Sequence, residues 1–144
     1  MRDTVLTLHV LAGTAGLLLG PAWLLARLQG SGARPAAAAY LTSVTVVSLT
    51  GATLAVVTPG LAWLLPVAVL TQALAVTGAI ARRRGWPRWD TVQPHLLGGS
   101  YIALVTGLLV AQTGNPLFWI LPAVVGQVPI AIAKRRLHAV ASVG

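Results

Sequence analysis

The feature that most constrains this chain is an alternation. Long apolar runs, each close to the length of a bilayer crossing, are separated by short connections that are by turns basic and uncharged. A helix needs roughly 20 mainly apolar residues to cross about 30 Å of hydrocarbon. Runs of that kind occupy residues 4–26, 36–57, 61–81, 94–112 and 117–133. They predict an all-α, polytopic integral membrane bundle of five transmembrane helices, one domain over residues 1–144. The first connection holds Arg27 and Arg34, and the second is Thr58-Pro59-Gly60. The third holds Arg82, Arg83, Arg84 and Arg88, the fourth is residues 113–116, and Lys134, Arg135 and Arg136 follow the last run. Five crossings put nine of the ten basic residues on one side, and basic loops stay in the cytoplasm. The N-terminus is therefore expected outside and the C-terminus in the cytoplasm, in a bacterial inner membrane. Trp63 and Trp119 then fall at outer helix ends and Trp23, Trp86 and Trp89 at inner ends, as interfacial belts require.

Composition agrees, since 56% of the residues are apolar and only 8% are charged. The lipid bilayer is the first partner. A formal charge of +8 could suggest a nucleic-acid binder, but the basic residues form short clusters between apolar runs, so no nucleic acid is expected. With no cysteine there is no disulfide framework, thiolate metal site or thiol nucleophile. Residues 1–26 begin like a secretory signal, with Arg2 before an apolar run. The run is too long, Asp3 offsets Arg2 and no small-residue cleavage site follows, so the segment is read as the first span. The two uncharged turns should make tight hairpins of spans 2/3 and 4/5. Pro66, Pro122 and Pro129 are expected to kink spans 3 and 5.

Polar side chains inside hydrocarbon need partners. Gln72, Tyr101 and Gln127 each lie about ten residues from the outer end of their spans, near mid-bilayer at about 1.5 Å of rise per residue. Thr45 and Ser48 reach a similar depth. These groups should point inward, either as hydrogen-bonded glue between helices or as the wall of a pocket, with Thr106, Trp63 and Trp119 as further wall candidates.

In the first span His9, Gly13, Gly16 and Gly20 are spaced by four, three and four, so they share one face. Such a face admits another backbone closely, whether a neighbouring helix, a flat ligand or a second copy of the chain. His95 and Gly99, beside Gly98, repeat the device in the fourth span. A histidine above glycines is also what a haem-binding helix offers. Depth opposes that reading, because His9 and His95 lie on the order of 20 Å apart along the membrane normal. His138, after the last basic cluster, is placed among the headgroups. No metal or cofactor is expected.

Two carboxylates remain. Asp90 beside Arg88 reads as a surface ion pair or a cap, and Asp3 as a charge favourable to a helix N-terminus. Neither lies at mid-depth, which counts against a proton pump or a cation-coupled transporter. A sharper alternative has Asp3 or Asp90 as an acid of raised pKa, with His9 or His95 as orienting or deprotonating partner. Tyr101, Gln72 and Gln127 would then shape an apolar, isoprenoid-like substrate.

The segments LHVLAGTAGLLLGPAWLLAR and HLLGGSYIALVTGLLVAQTGNPLFWILPAVVGQVPI resemble a family of small uncharacterised bacterial predicted membrane proteins. The similarity covers spans 1, 4 and 5 and is most specific at the His-x3-Gly start and GSYIALVTG. Members commonly carry a further histidine after the first span, in a segment resembling HRxxGR, where this chain reads ARPAAAAYLTS. In size and architecture the chain is also similar to small actinobacterial membrane terpene cyclases, which protonate a prenyl chain without a metal. That resemblance implies a protonation-initiated cyclase acting on an apolar substrate. The alternatives are a non-enzymatic subunit packing through its glycine faces and a haem or quinone electron-transfer module.

Overall fold

The computed structural model describes residues 1–30 and 32–141, and the side chains of these except residues 116, 134 and 137–141. The positions expected for Lys134 and His138 therefore lie outside the described side chains. The helices are α1 (Arg2–Leu28), α2 (Ala33–Val57), α3 (Leu64–Arg83), α4 (Trp89–Thr113) and α5 (Leu121–Ala141), with a 3-10 turn at Pro116–Trp119. Helices α1 to α4 are long and apolar enough to cross a membrane, whereas the apolar stretch Leu117–Ala133 that ends in α5 is shorter.

Most threonine hydroxyls in these apolar helices are satisfied by their own helix backbone. Thr14, Thr42, Thr45, Thr53, Thr71, Thr106 and Thr113 all donate to the carbonyl four residues earlier. Helix α4 stops where Gly114, at φ 62°, closes it onto the Val110 carbonyl. The Asn115 side chain then accepts from the Leu117 amide and opens the 3-10 turn.

Two boundary expectations change. Pro66 and Pro122 fall in the first turns of α3 and α5, where the missing N–H has no intrahelical partner to lose, so they start helices rather than kink them. Helix α4 begins at Trp89 rather than Pro94, which brings Asp90, Pro94 and His95 into its first two turns. The prolines well inside helices are Pro21, Pro94 and Pro129.

Successive helices pack on one another, and α1 also meets α4. At the centre Tyr40 and Ser100, both 0% exposed, join α2 to α4 through a 3.1 Å hydroxyl pair. The glycine face of α1 is used within the chain: Gly16 sits against Leu104 and Ser43, and Gly20 against the ring of Tyr101. Trp89 identifies one end of the bundle, with the guanidiniums of Arg27 and Arg82 over its ring at 4.6 and 5.6 Å. Trp63 and Trp119 identify the other, meeting edge to face with centroids 5.4 Å apart.

Candidate ligand cavity

Between α1, α4 and α5 lies a cavity of about 340 Å³, within the size range of small-molecule sites. Trp23 and Leu24 form its α1 wall, Leu97, Tyr101 and Val105 its α4 wall, and Val125 and Ile130 its α5 wall, with Tyr40 behind. The helices around it touch at glycines. A side chain at Gly20 would collide with the Tyr101 ring, and one at Gly126 with Ile102. A Cβ at Gly98 would lie 2.8 Å from Ile130. Close contact at these points and bulky side chains between them leave an apolar space rather than a continuous seam.

The polar groups at the wall are few. The Tyr101 hydroxyl donates to the Leu17 carbonyl at 3.2 Å, and the Tyr40 hydroxyl is paired with Ser100. Trp23 is 3% exposed, and its Nε1–H has no partner among the described residues. Pro129, which has no N–H, leaves the Val125 carbonyl without its helical donor. The cavity is thus walled almost wholly by apolar groups.

Of the residues expected from the sequence to act on or bind a substrate, only Tyr101 lines this space. Asp3 is exposed at the start of α1, where Thr7 donates to its carbonyl. His9 faces α2, with Nδ1 3.0 Å from the Thr50 hydroxyl and its ring against Gly51. The Thr50 hydroxyl also reaches the Val46 carbonyl, so the contact ties His9 to the α2 backbone through one side chain. Asp90 stands in the first turn of α4, and His95 is exposed a turn later. Gln72 donates to Thr45 at 3.1 Å, joining α3 to α2. Thr106 is buried but spends its proton on Ile102, and Gln127, expected to point inward, is exposed on α5. Trp63 and Trp119 pair at the far end of the bundle. Trp23, expected in the interfacial belt, is instead part of the buried cavity wall. Among the described residues no three histidine or carboxylate side chains come together as metal ligands would.

The sequence did carry a signal for the cavity, in the glycine and proline shared by the facing helices: Gly20-Pro21, Pro94 with Gly98, and Pro122, Gly126 and Pro129. No family model, curated protein or solved structure matches the chain.

Proposed function

We propose that this is a multi-pass protein of the bacterial cytoplasmic membrane, N-terminus outside and C-terminus inside, that binds an apolar molecule carrying one hydrogen-bond acceptor. The ligand class is an isoprenoid or similar hydrocarbon bearing a carbonyl or ether oxygen. The observation that carries this reading is the apolar cavity itself, with the Trp23 indole in its wall and the indole N–H buried without a partner among the described residues. An unpaired buried donor costs about 1–3 kcal/mol, which a ligand oxygen would recover. The basic connections and basic C-terminal segment supply the orientation.

Binding is preferred to cyclisation because protonation of an alkene needs an acid at the substrate. Asp3, Asp90, His9 and His95 all stand outside the cavity wall, and both tyrosine hydroxyls there are already engaged. The test is mass spectrometry of the organic extract from protein purified in mild detergent, against a mock purification. An enriched apolar compound that is lost in Val105→Trp, with helix content retained, supports the reading. Equal recovery from protein and mock, or from wild type and Val105→Trp, overturns it.

A further inference from the structure

A second hollow, of about 460 Å³, opens at the arginine-rich end of the bundle between α2 and α3. Arg34 from the start of α2 and Arg82 and Arg83 from the end of α3 surround it, over a floor of Ala37, Leu41 and Ala79. Arg34 is near enough to Arg82 for their like charges to repel. Arg27 shares the Trp89 ring with Arg82, and its charge is offset in part by Asp90. No carboxylate is among the residues lining the hollow. Gathering guanidiniums around one concavity is unfavourable unless an anion shares them, and their planar donor forks match phosphate oxygens. Gln93, from α4, also lines the hollow; it is 1% exposed, and its buried Oε1 has no partner among the described residues. A buried amide left open beside arginines completes a head-group site, while the alanine and leucine floor suits a hydrocarbon chain.

We propose that this hollow binds the phosphate of an anionic lipid, with Arg34, Arg82 and Arg83 on the phosphate, Gln93 on a neighbouring head-group hydroxyl, and the acyl chain along Ala37, Leu41 and Ala79. Basic pockets between helices at a cytoplasmic surface are suited to such head groups. The site is separate from the α1–α4–α5 cavity and does not depend on what that cavity holds.

The experiment is native mass spectrometry of the whole protein released from micelles containing equal phosphatidylglycerol and phosphatidylcholine. The expected result is about tenfold preferential retention of phosphatidylglycerol, equivalent to about 1.4 kcal/mol. Arg34→Gln with Arg82→Gln should abolish the preference, and Gln93→Leu should reduce it severalfold. Arg135→Gln with Arg136→Gln, which removes the same charge elsewhere, should leave it intact. Since Arg82 is partly packed, Arg34→Gln alone, at an exposed position, serves as the second variant and should weaken the preference without changing the unfolding temperature. Equal retention of the two lipids, or equal loss in the Arg135/Arg136 variant, would overturn the proposal. Displacement of phosphatidylglycerol by inorganic phosphate alone would also overturn it, leaving a plain anion site in place of a lipid site.

Discussion

The Tyr101 hydroxyl donates to the Leu17 carbonyl at 3.2 Å, at the position in α1 where Pro21 removes the helical donor four residues on. A tyrosine on α4 thus supplies the hydrogen bond that a proline in α1 takes away, and the same ring lies on Gly20. Proline, glycine and tyrosine form one contact, and that contact bounds the cavity.

Tyr101→Phe should therefore cost about 1–3 kcal/mol, because it strands a half-buried carbonyl while keeping the ring. In a Pro21→Ala background the alanine N–H serves Leu17, and the same change should cost under about 0.5 kcal/mol. Reversible unfolding in mixed micelles measures both arms of the cycle. Equal costs in the two backgrounds would show that the tyrosine hydroxyl does not substitute for the helical donor.

Gly20→Ala should separate α1 from α4, since its Cβ would enter the Tyr101 ring. Overpacking of this kind costs about 1–3 kcal/mol. Gly13→Ala meets nothing nearer than Val47 at 3.9 Å and should be neutral within about 0.5 kcal/mol. Thermal unfolding distinguishes the two. Light scattering on the same samples should show no change in oligomeric state, because the glycine face is already filled within the chain.

The long helices were legible in the sequence because long apolar composition specifies helices with little help from context, and four of the five predicted runs became helices long enough to cross a membrane. The cavity was not legible to the same degree. Reading polar residues at mid-depth as its wall assumes that polarity marks a pocket, whereas Gln72 finds Thr45 and His9 finds Thr50 across neighbouring helices. Which faces meet depends on contacts distant in sequence, such as Tyr101 with Gly20, which no periodicity within a single helix contains. Trp23 could not be separated from an interfacial tryptophan by its depth alone. Its role emerges only when α4 and α5 close around it.

The polar residues that join helices should affect stability without affecting ligand. His9→Leu should lower stability by about 0.5–1.5 kcal/mol, the scale of one interhelical hydrogen bond, and leave the enriched compound in the extract unchanged. Asp3→Asn and Asp90→Asn should likewise retain it, since neither side chain reaches the cavity. Trp23→Phe keeps the aromatic wall and removes the unpaired N–H, so retention should fall about tenfold. If His9→Leu empties the protein and Trp23→Phe does not, the ligand lies between α1 and α2 instead.

The absence of cysteine makes the topology directly testable, because any introduced thiol is unique. With five crossings, Pro59→Cys should react with a membrane-impermeant maleimide in intact cells, while Gln29→Cys and Arg135→Cys react only after permeabilisation. Arg135 is the discriminating position. The apolar stretch leading through α5 is shorter than a full crossing, and much of the helix surface is exposed. Should α5 instead lie along the surface, Arg135→Cys would react from outside together with Pro59→Cys, and the basic C-terminal segment would violate the positive-inside pattern. The wall formed by Val125 and Ile130 would then close the cavity at the outer leaflet, and ligand would enter from that side. Protection of Arg135→Cys in intact cells makes α5 a fifth span, with its flank of the cavity open to the bilayer.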